Sequence, residues 1–391
     1  MKKLNISLPE HVLTALNTLE SNGFECYCVG GAIRDIILGK KPFDFDITTN
    51  ATPDDITRIF DHTVPTGLKH GTVTVVIDKN NIEITTYRSE DDYSDHRSPD
   101  SVRFLNSVEG DVMRRDFTMN AVLYNPKKGI YDPVNGLGDI NDRLIRAVGE
   151  PSKRFTEDAL RIMRAFRFCA QLDFSLEKKT LEAALKLSET VKILSRERIF
   201  SELQKTITAK FPQNADPLFE CGTFEFLRLN LKTSLSAVAC LPCDFSLRFS
   251  YLCYLNSLDC KAVLKALKSD NETVSECEKL LGLFNSDAPK TKYELKILLN
   301  QFGIESVQKV LNSSFEFFAN TKELKALLND IITADEPYKI SHLSIGGNEL
   351  KALGFEGEQI GAVLAKLLDK VMQAPELNNS ETLKKLAVTI E

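Results

Sequence analysis

The pattern of hydrophobic residues changes near residue 143. Before that point, β-branched runs at 72–77 and 82–88 predict the two strands of a hairpin. Helical segments surround them, and Thr52, followed by Pro53 and Asp55, predicts the beginning of one helix. After it, the strand signals disappear and apolar residues recur with the helical period, as in residues 199–207. The sequence therefore predicts an α+β fold, in which a head with a mixed β-sheet and helices is followed by a long all-α region.

The length of 391 residues allows two to four domains at roughly 100–200 residues each. We place the first boundary where the strand signals end. The next two fall at the polar, proline-containing stretches 211–217 and 333–339. The predicted segments are a head at 1–145 and three helical segments at 146–210, 211–335 and 336–391.

Local patterns exclude several classes of protein. No stretch reaches the roughly 18 apolar residues of a membrane span, and no apolar segment follows the N-terminal lysines as in a secretory signal. The nine cysteines are odd in number and irregularly spaced, unlike a disulfide framework. We therefore expect a cytoplasmic protein without a membrane partner. Cys240 and Cys243 lack further zinc ligands at the usual spacing, so buried helix cysteines are the simpler interpretation and their role stays open.

The charged residues are unevenly distributed along the chain. Lys and Arg number 49 and Asp and Glu 55, so the formal net charge is −6, which by itself argues mildly against a nucleic-acid partner. Residues 143–210, however, hold 15 basic and 9 acidic side chains. A local basic region can attract a phosphate backbone without a basic protein overall.

Residues 29–48 carry the strongest chemical signal. Gly30 and Gly31 follow a predicted strand and open a predicted helix, where glycines let backbone N–H groups approach a phosphate closely. Asp44 and Asp46 are two residues apart, so on a strand both carboxylates would point to one face. Two close carboxylates repel unless a cation joins them, and Mg²⁺ is commonly held by carboxylates together with substrate phosphates. A simple turn and a solvated strand face are the alternatives.

Glu83 is a further candidate ligand. It stands between two isoleucines in a predicted strand of the head. On a strand next to the aspartates, its carboxylate could join the metal site. An exposed strand residue is an equal alternative.

Several blocks, in order along the chain, carry a resemblance to a known family. Gly-Gly-x-x-Arg-Asp followed by Asp-x-Asp, at residues 30–46, resembles the first motif of the polymerase-β-type nucleotidyltransferases. Residues 114–121, Arg-Arg-Asp-Phe-Thr-Met-Asn-Ala, resemble a block of class II tRNA nucleotidyltransferases and bacterial poly(A) polymerases. The blocks at 132–139, 154–168 and 195–202 follow in the expected order. The resemblance is closest to bacterial CCA-adding enzymes.

This resemblance implies a polymerase-β-type nucleotidyltransferase head, a helical neck at 146–210 with a nucleotide template, a body at 211–335 and a tRNA-binding tail at 336–391. It implies addition of CCA to the 3′ end of tRNA from CTP and ATP, with release of pyrophosphate. Two Mg²⁺ ions would be held by the catalytic residues Asp44 and Asp46. The implied nucleotide-binding residues are Gly30, Gly31, Arg34, Arg115, Asp116, Asn120, Glu157, Asp158, Arg161 and Arg164. No protein partner is implied, and the oligomeric state stays open.

The template also has a physical interpretation. Asp158 and Arg161 are three apart, so on one helix they would share a face. A carboxylate accepts from the amino group of cytosine or adenine, and a guanidinium donates to cytosine N3 or adenine N1. Uracil and guanine present the opposite pattern, so the pair would accept C and A and reject U and G. A surface ion pair is the alternative.

Two further segments bear on the reaction. Residues 91–102, with Asp95 and Arg97, resemble the mobile loop that complete CCA-adding enzymes use when the pocket changes from C to A. Residues 65–72 resemble the CCA-type linker rather than the arginine-rich segment of poly(A) polymerases. A CC-adding or A-adding specialist, a poly(A) polymerase and an inactive tRNA-binding protein stay open as alternatives.

Overall fold

The computed structural model describes residues 6–68, 71–91, 101–313 and 316–389. The chain divides into two compact units, Met1–Phe226 and Leu227–Glu391. The finer division predicted at 145, 210 and 335 stays a prediction. No helix within the described residues is long and apolar enough to cross a membrane, and the cytoplasmic location likewise stays a prediction.

The first unit contains the strands and ten helices within its described residues. The strands are β1 (Cys26–Val29), β2 (Asp46–Thr49), β3 (Thr63–Gly67), β4 (Thr72–Ile77), β5 (Asn80–Thr86), β6 (Arg88–Asp91), β7 (Ser101–Phe104), β8 (Leu123–Asn125), β9 (Gly129–Tyr131), β10 (Leu144–Ile145) and β11 (Ser175–Leu176). The helices are α1 (Glu10–Ser21), α2 (Gly31–Ile37), α3 (Pro53–Ile59), α4 (Val108–Met113), α5 (Gly136–Asn141), α6 (Pro151–Glu157), α7 (Leu160–Leu172), α8 (Lys178–Lys186), α9 (Arg196–Ile207) and α10 (Asp216–Glu220).

Seven strands form a mixed sheet in the order β3-β4-β5-β2-β1-β8-β9. Strand β2 lies inside it, antiparallel to β1 and parallel to β5. Alternate residues of β1, Tyr27 and Val29, pack with Val112 of α4 and Leu123 of β8 in a buried cluster. This core holds the start of β2 beside the end of β1, where the Gly-Gly pair follows.

Two local predictions for the head are confirmed. β4 and β5 form the predicted hairpin, and Asp78 and Lys79 make its turn with positive φ angles of 49° and 63°. Helix α3 begins at Pro53 after Thr52, whose side chain accepts from the backbone of Asp55 in a capping box. Both features depend on a few adjacent residues, which is why the sequence indicates them.

Two other predictions are corrected. The region after residue 143 is not wholly helical, because β10 and β11 form a short parallel pair, too short to produce a periodic pattern. The predicted mobile loop at 91–102 is not irregular at its two ends, because β6 and β7 pair antiparallel there. Backbone hydrogen bonds hold this ribbon without the apolar alternation that would have indicated strands. Residues 92–100, including Asp95 and Arg97 of the predicted mobile loop, lie outside the described residues.

The second unit is helical throughout its described residues, as predicted. Its helices are α11 (Ser236–Ala239), α12 (Phe245–Asn256), α13 (Cys260–Ala266), α14 (Asn271–Phe284), α15 (Lys292–Phe302), α16 (Ile304–Asn312), α17 (Thr321–Thr333), α18 (Gly347–Ala352), α19 (Glu358–Gln373) and α20 (Ser380–Thr389). Cys240 and Cys243 are exposed. The interpretation of this pair as buried helix cysteines was therefore wrong, since both residues lie in the connection between α11 and α12.

Candidate active site

The carboxylates of the Asp-x-Asp pair meet at the beginning of β2. Strand β2 begins at Asp46, so Asp44 lies in the preceding loop, and the prediction that both share one strand was wrong. Parallel pairing with β5 makes Glu83 the direct neighbour of Asp46. Burial, followed by the negative charges of Asp44 and Glu83, raises the pKa of Asp46 to about 6, and the positive charge of Arg115 opposes this rise. The site thus brings together three acidic side chains whose repulsion Arg115 offsets only in part.

This donor set fits a hard divalent cation. Oxygen ligands on one or two carboxylates, completed by substrate phosphates and water, are typical of Mg²⁺ sites. Within the described residues, no group of three or more His, Cys, Asp or Glu side chains is arranged to hold a metal. Asp44 and Asp46 as ligands, and Glu83 as a third, therefore stay predictions.

Gly30 brings the backbone close to Asp46. Its φ is 82° and its ψ is −149°, a combination that is essentially restricted to glycine. A Cβ atom at this position would lie 3.2 Å from Oδ2 of Asp46. Gly31 then begins α2, so the predicted strand–glycine–helix arrangement is present next to the carboxylates.

We expect Gly30→Ala to lower the free energy of unfolding by about 1–3 kcal/mol, because alanine is strained at this backbone conformation. Activity should fall as well, since the new methyl group presses on Asp46. Gly129→Ala is the matched control: its φ is 81°, but among the described residues no atom beyond its chain neighbours lies within 4 Å of the added Cβ. Urea unfolding should show lost stability in both variants, whereas transfer assays should show lost activity only in Gly30→Ala. Full activity in Gly30→Ala would contradict a functional role for the close approach of the Gly30 backbone to Asp46.

Four of the predicted nucleotide-binding side chains form one hydrogen-bonded network. Arg34 Nη1 donates to Oδ1 of Asn120 (2.7 Å), and Asn120 Nδ2 donates to Oδ1 of Asp116 (3.2 Å). Arg164 donates from Nε and Nη2 to Oδ2 of Asp116, at 2.9 and 2.6 Å. Burial alone would raise the pKa of Asp116, but the charge and hydrogen bonds of Arg164, together with hydrogen bonds from Asn120 and the backbone N–H of Phe117, lower that pKa to about 2. Asp116 is therefore ionised at neutral pH and keeps Arg164 in place.

The ring of Phe168 supports the same network. The guanidinium carbons of Arg34 and Arg164 lie 5.2 and 5.4 Å from its centroid, and that of Arg167 lies 4.0 Å away. Such cation–π contacts hold arginines without consuming their N–H donors. The head and the helix α7 thus bring together residues that are up to 134 positions apart in sequence.

The template residues do not share a helix. Helix α6 ends at Glu157, Asp158 is extended (φ −142°, ψ 106°), and α7 begins at Leu160, so the predicted i,i+3 arrangement was wrong. The Asp158 carboxylate accepts from the backbone N–H of Leu160 (3.0 Å), which competes with continuation of the helix. Its second oxygen accepts from Arg198 Nη2 (2.8 Å).

Arg161 is held from several directions. Its Nη1 donates to Glu157 Oε2 (2.7 Å) and to the carbonyl of Arg154 (3.2 Å), and its Nη2 donates to the carbonyl of Arg114 (3.0 Å). Glu157 also accepts from Arg154 Nη2 (2.5 Å). Each template side chain therefore has protein partners that a nucleotide base would have to replace or join.

Sequence reasoning missed three residues of this site. Arg198 lies in the block at 195–202 but had no role, and Arg154 was likewise only part of a block. Asp111, four residues before Arg115, is fully buried and accepts from that arginine. The i,i+4 spacing of Asp111 and Arg115 is the signal that could have indicated this pair.

Comparison with known proteins identifies the family. The model of the poly A polymerase head domain matches residues 26–146, and that of a probable RNA and SrmB-binding site of polymerase A matches residues 173–233. The CCA-adding enzyme of Staphylococcus aureus (strain bovine RF122 / ET3-1) is 36% identical over 334 residues, covering 84% of this chain and 83% of that protein. This chain belongs to the CCA-adding enzyme family. The family member from Staphylococcus epidermidis (strain ATCC 12228 / FDA PCI 1200) is 36% identical over 338 residues, covering 86% and 80%.

Solved structures agree with this membership. The CCA-adding enzyme of Bacillus stearothermophilus in complex with CTP has a TM-score of 0.85 and 30% identity, and covers 100% of this chain and 98% of that one. The Thermotoga maritima CCA-adding enzyme complexed with tRNA has a TM-score of 0.66 at 20% identity, with coverage of 99% and 98%, and shares the fold. The predicted α+β fold and the predicted family are confirmed.

Proposed function

We propose that this CCA-adding enzyme family member adds C, C and A to the 3′ end of tRNA, using CTP and ATP and releasing pyrophosphate. The observation that carries the proposal is the carboxylate cluster at the start of β2, next to a glycine whose backbone conformation allows close approach. Such a site suits a triphosphate and a divalent cation. Membership of the CCA-adding enzyme family indicates that the acceptor of the nucleotide is the 3′ end of a tRNA.

Asp44 and Asp46 are the residues that would hold Mg²⁺. When bound there, Mg²⁺ would supply activation of the terminal 3′-hydroxyl and charge neutralisation of the triphosphate and the pyrophosphate. The raised pKa of Asp46 supports this assignment, because a cation would relieve the repulsion from Asp44 and Glu83. Glu83 either joins the ligand set or only strengthens the local negative field.

The arginine network would bind and orient the nucleotide. Arg34, Asp116, Asn120 and Arg164 are already fixed by one another, so little side-chain freedom is lost when a substrate contacts them. Gly30 and Gly31 leave room for the phosphates beside this network. We assign contacts with the sugar and phosphates to these groups and to Arg115.

Asp158 and Arg161 would select the base. Asp158 lies in the break between α6 and α7 and Arg161 lies in the first turn of α7, yet their donor and acceptor types still match the edges of C and A. Arg198 and Glu157, their partners here, keep both side chains ordered before a base arrives. A base that enters this site would replace contacts within the protein by contacts of its own. A mismatched base would leave some of these donors and acceptors unpaired, so its binding would be less favourable.

The decisive experiment supplies the purified protein with tRNA ending before the CCA, after C and after CC. Each nucleoside triphosphate is given alone and in mixture, with and without EDTA. Ordered addition of C, C and A followed by arrest is expected, with no addition in EDTA. A long A ladder would favour a poly(A) polymerase, arrest after CC would favour a CC-adding specialist, and tRNA binding without transfer would contradict an enzymatic role.

A further inference from the structure

Asp111 of α4 is a fully buried carboxylate that contacts three side chains. Its Oδ1 accepts from Nε and Nη2 of Arg114, at 2.8 and 2.6 Å. Its Oδ2 accepts from Nη2 of Arg115 (2.9 Å) and from the hydroxyl of Thr48 (3.0 Å). A carboxylate with no exposure is stable in the fold only when its charge is matched in this way.

These contacts connect Asp111 to the carboxylate site. Thr48 is two residues beyond Asp46 on β2, so the two side chains extend from the same face of the sheet. Oδ2 of Asp111 accepts from both Thr48 and Arg115, so the Arg115 guanidinium is held against the face of β2 that also carries Asp46. Asp111 therefore holds an arginine close to the start of β2.

Arg115 retains an unused donor. Its Nε atom is buried and has no hydrogen-bond partner among the described residues, whereas its Nη2 is bound to Asp111. A buried donor left without an acceptor is costly, so a site that keeps one is prepared for a ligand. Because the guanidinium is planar and rigid, fixing one nitrogen fixes the direction of the other N–H groups.

We propose that Asp111 is a positioning residue, which holds the Arg115 guanidinium beside Asp46 so that its unused donor meets the triphosphate of the incoming nucleotide. This inference rests on the proposed function, since Arg115 binds a nucleotide only if that function holds. Asp111 does not touch the substrate and acts through Arg115. A purely structural role, in which Asp111 only neutralises two partly buried arginines, would leave nucleotide binding unchanged.

Asp111→Asn tests this role with almost no change in size. The new amide keeps one acceptor oxygen but places an NH₂ donor against Arg114, or against Arg115 and Thr48. We expect the KM for CTP to rise by about 10- to 100-fold, the effect of losing a charge-assisted hydrogen bond, with an unchanged KM for tRNA. Thr48→Val is the matched control, because it removes a contact to the same carboxylate while both arginines stay paired; its KM for CTP should change by less than about 2-fold.

A double-mutant cycle separates positioning from stability. If Asp111 acts through Arg115, Asp111→Asn adds nothing to the KM for CTP once Arg115→Gln is present. Additive effects on that KM, or an unchanged KM in Asp111→Asn, would overturn the proposal. An unchanged KM in Arg115→Gln alone would instead show that the nucleotide-binding assignment of Arg115 is wrong. Should Asp111→Asn not fold, Asp111→Glu keeps the charge but displaces the guanidinium by one methylene, and the same rise in KM is expected.

Discussion

Asp46→Asn is expected to lower the kcat of nucleotidyl transfer by at least about 10³-fold, because a lost metal ligand removes several kcal/mol of transition-state stabilisation. When both proteins are free of metal, the variant should have a higher free energy of unfolding than the native protein. Loss of activity in a more stable protein is an unusual combination. It distinguishes removal of a functional carboxylate from simple damage to the fold.

The gain in stability follows from the raised pKa of Asp46. A carboxyl group whose pKa rises on folding from 3.8 to about 6 is harder to ionise in the folded state. The resulting penalty is absent below about pH 4, grows between about pH 4 and 6, and is fully present above that range. It amounts to at most about 3 kcal/mol at pH 8. Asparagine has no charge to desolvate, so it removes most of this penalty.

Thermal unfolding at pH 8 measures this effect. In EDTA, Asp46→Asn should unfold at a higher temperature than the native protein, and added Mg²⁺ should raise the Tm of the native protein more than that of the variant. Asp54→Asn, an exposed aspartate of α3, is the control and should change neither activity nor the response to Mg²⁺. Near-native transfer by Asp46→Asn, or an equal Mg²⁺ response in both proteins, would refute the assignment.

Asp158→Ala is expected to relax the choice of nucleotide. A carboxylate that accepts from the amino group of C or A contributes about 1–3 kcal/mol of discrimination, so the preference for CTP over UTP should fall by about 10- to 100-fold. Stability should also fall by about 1 kcal/mol, since Asp158 accepts from the N–H of Leu160 at the start of α7.

Two further variants separate base selection from helix capping. Asp158→Asn keeps an oxygen that can accept from Leu160, so it should retain most of the stability, yet its amide can present either a donor or an acceptor to a base. Glu182→Ala, on the exposed face of α8, should leave both properties unchanged. The measurement is kcat/KM for CTP, ATP and UTP on the same tRNA. Unchanged discrimination in both Asp158 variants would reject the template assignment.

Several features of this protein depend on adjacent residues, and the sequence was sufficient to predict them. The β4–β5 hairpin needs only two alternating runs around a two-residue turn. The start of α3 needs only Thr52, Pro53 and Asp55. The Gly-Gly pair after β1 and the change to helical periodicity were equally local, and together with the ordered motifs they indicated the fold and the family.

Two predictions about the site failed because they assumed regular structure where the chain leaves it. Asp44 was placed on a strand that begins two residues later, and Asp158 was placed on a helix that ends just before it. In both cases a polar side chain lies at the end of an element. Residue spacing describes the inside of a helix or strand, so it cannot show where that element stops.

The sequence by itself determined which chemical groups this protein has and the order in which they occur along the chain. Only the tertiary structure decided which of them meet: Glu83 beside Asp46 through parallel pairing, Asn120 on Arg34, and Arg198 on Asp158. It also decided that Asp111 is buried against Arg115. The physical reason is that charge, pKa and hydrogen bonding depend on distance in space, and these partners are brought together by the sheet and by helix packing rather than by their spacing in the chain.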